Sequence, residues 1–248
     1  MNSILESVQG SIWDWHHQSH KRPMIIAHGG ASSHEPSNTM SAFRAAGDRA
    51  DVIEMDVRLT DDGEIVCYHD DVVNDGGSLR ELQHMSWEEL VDAAPTTPKF
   101  SEVARLGHAM FLDVKETDPE RVVCLVEKSL VFADPRRLLI GIRSCVESDD
   151  LYDRFPAIRQ VALMREDDDI MSFARLRPNQ WARLHQPRAS AERILHLRAA
   201  GLRIVVTSGI GDKATGEIDP DQFRELIKRT PDAVIVNDPS AAWHELQP

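Results

Sequence analysis

Short apolar runs of strand length recur through the chain, and stretches of helical periodicity fill much of the space between them. The runs are Met24 to Ala27, Asp51 to Leu59, Ile65 to Tyr68, Met110 to Lys115, Leu138 to Ile142, Gln160 to Met164, Trp181 to Leu184, Leu202 to Thr207 and Ala233 to Asn237. Apolar residues at helical spacing mark Thr39 to Ala46, Ser86 to Ala93, Phe100 to Leu106, Pro119 to Phe132, Ser148 to Phe155, Ala189 to Ala200 and Asp219 to Arg229. Alternation of this kind predicts parallel strands joined by crossover helices. Eight or so strands in 248 residues favour a closed barrel over an open sheet. The expected fold is α/β: one TIM-type (β/α)8 barrel over 1–248, with an N-terminal helix over 1–20 and an insertion with a connecting helix over 72–104.

Polar residues gather at the ends of these runs. His28 follows Met24-Ile25-Ile26-Ala27, Glu54 and Asp56 alternate within the second run, and His69-Asp70 follow the third. Asp113 and Lys115 share a face at the end of the fourth, by the two-residue period of a strand. In a barrel of this class, functional residues cluster where the strands end.

Glu54, Asp56 and Asp113 offer hard oxygen ligands on neighbouring strands, which suit Mg²⁺, Ca²⁺ or Mn²⁺. The plainer reading is a solvated carboxylate, or one paired with an arginine such as Arg58. His28 and His69 can each be a zinc ligand, a packed side chain or half of an acid/base pair. Two of them beside a carboxylate cluster suit phosphoryl transfer, in which a base deprotonates the nucleophile and an acid protonates the departing alkoxide. Lys115 would assist with the phosphoryl charge. The loop Gly29 to Thr39 is rich in small and polar residues and allows close backbone approach to a ligand, with Ser37 or Asn38 as a helix cap.

The net charge of −13 disfavours nucleic acid or an anionic membrane as a partner. No apolar run is long enough to span a bilayer, and no secretory leader is read at the N-terminus, so the expected compartment is the cytoplasm. Cys67, Cys124 and Cys145 are odd in number and widely spaced, which argues against a disulfide framework. Ile4, Leu5, Val8, Ile12, Trp13 and Trp15 lie at roughly helical spacing, so the N-terminal helix would plug the barrel or form a homo-oligomer interface.

The motif of His28, Gly30, Glu54, Asp56, His69 and Asp70 resembles the glycerophosphodiester phosphodiesterase family, over most of the chain. Glu54-Met55-Asp56-Val57-Arg58-Leu59-Thr60-Asp61-Asp62-Gly63 and His69-Asp70-Asp71 match its pattern closely, and His28-Gly29-Gly30 followed by Pro36-Ser37-Asn38-Thr39 aligns without a gap to the family's histidine-arginine-glycine loop and its proline-glutamate-asparagine-threonine. The resemblance implies a barrel hydrolase with His28 and His69 as catalytic acid and base, Glu54, Asp56 and Asp113 as metal ligands, and Lys115 near the phosphate. Gly29, Ser37 and Asn38 would line the substrate. Asp113 stands where the family usually has glutamate, Gly29 where it has a phosphate-binding arginine, and Ser37 where it has glutamate. The substrate expected is a small phosphodiester, a glycerophosphodiester or a sugar phosphodiester of the agrocinopine type. A lyase that ends at a cyclic phosphate and a non-catalytic diester-binding barrel are the alternatives.

Overall fold

The computed structural model describes residues 11–14 and 21–247. Its strands are β1 (Met24–Ala27), β2 (Val52–Leu59), β3 (Ile65–Cys67), β4 (Val72–Asp75), β5 (Ser78–Glu81), β6 (Ala109–Val114), β7 (Leu138–Ile142), β8 (Arg159–Ala162), β9 (Trp181–His185), β10 (Arg203–Thr207) and β11 (Ala233–Val236). The α-helices are α1 (Met40–Ala46), α2 (Trp87–Ala93), α3 (Phe100–Ala104), α4 (Pro119–Ser129), α5 (Cys145–Arg154), α6 (Asp167–Leu176), α7 (Ala191–Ala199), α8 (Pro220–Ile227) and α9 (Pro239–Glu245). Eight parallel strands close in the order β1-β2-β6-β7-β8-β9-β10-β11, with β11 paired back to β1. The expected TIM-type barrel is present.

Each barrel strand sorts its residues between two apolar layers. One layer fills the lumen with Met24, Ile26, Val52, Phe111, Leu139, Val161, Trp181, Val205 and Ile235. The other, with Ile25, Ile53, Leu112, Ile140, Ala182, Ile204 and Val234, packs under the helices. Strand alternation then carries the lumen face upward from an apolar floor to polar residues at the mouth. On β1 that face ends at His28, on β2 at Glu54 and Asp56, on β6 at Asp113, and on β9 at Arg183 and His185.

Trp13 closes the floor. It lies on a short 3₁₀ turn, Ile12–Asp14, and is fully buried within the lumen layer. Its ring meets that of Trp181 edge-on, with centroids 6.0 Å apart, and its carbonyl accepts a hydrogen bond from Trp181 Nε1 at 3.2 Å. Asp14 ties the turn to the barrel rim through Arg159 at 2.9 Å. Residues 11–14 form a 3₁₀ turn that places Trp13 at the floor, and the remainder of the expected N-terminal helix, with Ile4, Leu5, Val8 and Trp15, lies outside the described residues. Among the described residues no helix is long and apolar enough to cross a membrane.

The structure corrects several readings of the sequence. The third apolar run is not a barrel strand: β3 pairs antiparallel with β2, Val57 opposite Cys67, because the turn around Asp61-Asp62-Gly63 is too short for a crossover. The segment after Asp71 contains an antiparallel hairpin, β4 and β5, turning at Gly76-Gly77 with positive φ at both glycines. The cap of α1 is Thr39, which accepts from the Ala42 N–H, rather than Ser37 or Asn38. Helices α6 and α9 were not expected, and α5 begins at Cys145 under a Ser144 cap, one turn before Ser148. Ser86 and Glu89 form a capping box at the start of α2.

If Trp13 seals the lumen, Trp13→Ala should lower unfolding stability by about 3 kcal/mol, the scale of a buried tryptophan truncation. Urea unfolding measures this. A loss below about 0.5 kcal/mol, the scale of a surface substitution, would mean that the floor is sealed by other residues.

Candidate active site

Glu54, Asp56 and Asp113 present oxygens that all lie within 4.8 Å of one another, and all three residues are buried. The strand period places Glu54 and Asp56 on one face of β2, and the parallel register sets Asp56 beside Asp113 of β6. Three carboxylates out of water at this spacing repel one another, so their surroundings decide whether they stay charged.

Asn38 brackets Asp56. Its Nδ2 donates to Asp56 Oδ2 at 2.6 Å, and its Oδ1 accepts from the Asp56 backbone N–H at 3.0 Å. The residue holds φ at 60°, a left-handed conformation that asparagine tolerates better than most. The Gly29 N–H donates to Glu54 Oε2 at 2.8 Å, from a φ of 59°. Lys115 Nζ reaches Asp56 Oδ1 at 2.8 Å and Asp113 Oδ2 at 3.1 Å. Arg143 donates to Asp113 Oδ1 and to the Val114 carbonyl, and Arg183 Nη1 stands 3.5 Å from Asp113 Oδ2.

These cations are unevenly shared. Burial pushes the Asp113 carboxyl up, but Lys115, Arg143 and Arg183 outweigh it and hold the group below its ordinary 3.8. Glu54 goes the other way. Burial first, then the charges of Asp56 and Asp113, raise it well above 4.5, against smaller help from Gly29 and Lys115. A compact set of hard oxygen donors, one of which the protein's own cations leave uncompensated, fits a divalent metal ion of the Mg²⁺, Ca²⁺ or Mn²⁺ kind. Arg58 is not the partner of any of the three: it donates to the carbonyls of His69 and Lys115.

His28 is half-buried at the end of β1, and its Nδ1 lies 2.8 Å from Asn237 Oδ1. Asn237 Nδ2 donates to the Thr215 carbonyl at 3.0 Å, so its oxygen is the atom facing the imidazole. His28 Nδ1 must then carry the proton, which leaves the Nε2 lone pair free. His69 reaches the site differently. The antiparallel β3 carries the chain back along β2, the Tyr68 N–H bonds the Asp56 carbonyl at 3.0 Å, and His69 follows, exposed, with Nδ1 2.7 Å from Asp70 Oδ1.

Gly29 and Ser37 interlock. A Cβ on Gly29 would lie 1.8 Å from Ser37 Oγ, so a side chain at 29 requires Ser37 to move. Gly30 is under a harder limit, since its Cβ would meet the Ala42 backbone at 2.5 Å, at a φ of 84°. The loop thus packs on α1 with its backbone toward the carboxylates. Trp181 lies at the barrel floor, whereas Arg143 is at the site and His185 at its mouth. Two contributors went unread: Asn237 follows Ile235 by two on the lumen face of β11, and Arg183 sits between Trp181 and His185 on β9. Strand parity at the ends of later strands was the available signal for both.

Residues 28–186 match the profile of the glycerophosphoryl diester phosphodiesterase family. A protein named "Probable glycerophosphodiester phosphodiesterase 1" from Mycobacterium tuberculosis is 39% identical over 80 residues, covering 27% of this chain and 29% of that relative. The matched region thus spans under a third of the length of such curated relatives. Solved structures are similar over nearly the whole chain at low identity. A putative glycerophosphodiester phosphodiesterase from Galdieria sulphuraria gives a TM-score of 0.77 at 18% identity, covering 90% of this chain and 97% of that one. A phosphodiesterase from Oleispira antarctica, solved in complex with the product sn-glycerol-3-phosphate, gives 0.75 at 19% identity, covering 92% and 98%. These two likenesses show the fold.

The raised Glu54 carboxyl has a pH signature. Folding of the metal-free protein is favoured below the unfolded carboxylate value near 4.5, and that contribution is lost as pH rises through the higher folded value. Glu54→Gln should therefore be more stable than wild type in EDTA at pH 8, by a margin that shrinks toward pH 5. Added Mg²⁺ or Mn²⁺ should raise the melting midpoint of wild type more than that of the variant. Calorimetric melts measure both, and a margin independent of pH would contradict the assignment.

Proposed function

The chain belongs to the glycerophosphoryl diester phosphodiesterase family, and from that premise we propose that it hydrolyses a small phosphodiester to a phosphomonoester and an alcohol. The observation that carries the reading is the buried carboxylate triad, held ready by Asn38, Gly29 and Lys115 beside a histidine of defined tautomer. Glu54, Asp56 and Asp113 would hold a Mg²⁺, Ca²⁺ or Mn²⁺ ion, which would supply Lewis acidity at the phosphoryl oxygens.

The chain's own residues divide the proton work. His28, with Nδ1–H committed to the neutral amide of Asn237, offers Nε2 as the base that takes a proton from the attacking water. His69 has an anionic partner, Asp70, suited to a protonated imidazole, and serves as the acid. The oxygen of water bonds to phosphorus, the bond from phosphorus to the alcohol oxygen breaks, and the His69 proton goes to that oxygen. Lys115, bound to both Asp56 and Asp113, places its ammonium where a phosphoryl oxygen would gather charge. Asn38 acts through Asp56.

The substrate is a glycerophosphodiester or a sugar phosphodiester. Gly29 and Ser37 give the mouth small side chains where the family pattern carries larger charged ones, which leaves room for a bulkier alcohol and removes one bidentate phosphate grip.

Phosphorus NMR on purified protein with Mg²⁺ or Ca²⁺ and a panel of diesters tests the reading. Turnover to a phosphomonoester is expected, with His28→Ala and His69→Ala each lower in kcat by roughly 10²–10⁴-fold, the range for loss of a general acid or base. A cyclic phosphate as final product would replace hydrolysis by intramolecular transfer. No turnover of any diester, with His28→Ala indistinguishable from wild type, would contradict an enzymatic role.

A further inference from the structure

The mouth of the barrel is divided by charge. The carboxylates stand on β2 and β6, while the three strands that follow end in cations: Arg143 after β7, Arg165 after β8, and Arg183 on β9, with His185 two residues beyond it. In a chain of net charge −13 this grouping runs against the average surface. Arg143 and Arg183 both reach Asp113, which anchors the arc to the candidate site. Arg165 follows Leu163 of the lumen layer by two residues, and among the described residues its side chain makes no ion pair. Its acidic neighbour Asp167 is engaged instead by Arg193 and Arg188. His185 joins the arc to the catalytic side: burial, and then the fields of Arg183, Arg165, His28 and Arg188, push its imidazole below 6.5.

We propose that this arc is a subsite for a carboxylate on the substrate, so that the diester hydrolysed is one whose alcohol is itself an acid. The inference rests on the hydrolytic reading above. Lys115, Arg143 and Arg183 match the three carboxylates of the triad one for one, which leaves Arg165 as the cation without an ion-pair partner among the described residues. Glu147 sits behind the arc and spends a carboxylate oxygen on the Arg143 backbone N–H at 2.8 Å, and burial raises its carboxyl above the usual 4.5. A single carboxylate balances what remains, and guanidinium groups bind carboxylates in a planar, two-point fashion. Arg165, exposed and unpaired, is the cation free to meet it first.

A matched pair of diesters isolates the carboxylate: glycerol phosphodiesters of glycerol and of glycerate, which differ in one terminal group. Affinity is measured by calorimetry in EDTA, and kcat/KM with Mg²⁺. Wild type should favour the glycerate diester by about tenfold or more in both, the worth of one charge-assisted contact. Arg165→Ala should lose most of that ratio, and Arg165→Lys should keep part of it. Equal handling of the two diesters by wild type overturns the proposal. So does a weakening of both diesters equally by Arg165→Ala, which would assign the arc to the scissile phosphate. If the binding ratio and its loss are seen while neither diester turns over, the subsite stands and the hydrolytic reading falls. Absence of both binding and turnover overturns both.

Discussion

The burial of three carboxylates side by side is the constraint on which the upper half of the barrel depends. Two unit charges about 4 Å apart repel by about 4 kcal/mol at an effective dielectric near 20, and a third multiplies the problem. The chain meets this with fixed donors. Asn38 takes the left-handed conformation that lets one side chain bond both the carboxylate and the backbone of Asp56. Gly29 turns its N–H toward Glu54, and Gly30 lets that turn lie against α1. The loop after β1 is a support for acidic groups before it is anything else, and its glycines and asparagine follow from that task.

The cationic arc on β7 to β9 is the counterpart of this cluster. Lys115, Arg143 and Arg183 all concentrate on Asp113, which leaves Glu54 as the member whose charge is least supported. Such an imbalance favours a bound cation at Glu54 and an anion near the arginines. A phosphodiester placed between them would meet both demands at once. The two histidines differ by their partners, a neutral amide for His28 and a carboxylate for His69, and the proposed division into base and acid rests on that difference.

Much of the barrel was legible from the sequence because each of its strands is an apolar run with alternating parity, and the charged exceptions to that parity are the site. Spacing alone places Glu54 with Asp56 on one face of their strand and Asp113 with Lys115 on one face of theirs. The third run misled because a three-residue strand has the same composition whether it continues a barrel or folds back on β2. Helix α6 was missed since its first turn, Asp167-Asp168-Asp169, reads as a solvated charge run. Asn237 and Arg183 gave no signal of their own: an amide at a strand end and an arginine within a strand become part of a site only when closure of the barrel brings β11 to β1 and β9 opposite β6. The partner of Asp56 was equally hidden, since Asn38 in a polar loop reads as a cap or a substrate contact.

The central claim is that the protein's own charges leave Glu54 to be satisfied by a divalent cation. Calorimetric titration of Mg²⁺ or Mn²⁺ into the purified protein, in two buffers of different ionisation enthalpy, measures that directly by counting protons displaced by the metal. The account predicts one binding site with proton release that disappears in Glu54→Gln. Binding without proton release, or metal affinity unchanged in Glu54→Gln, would contradict it.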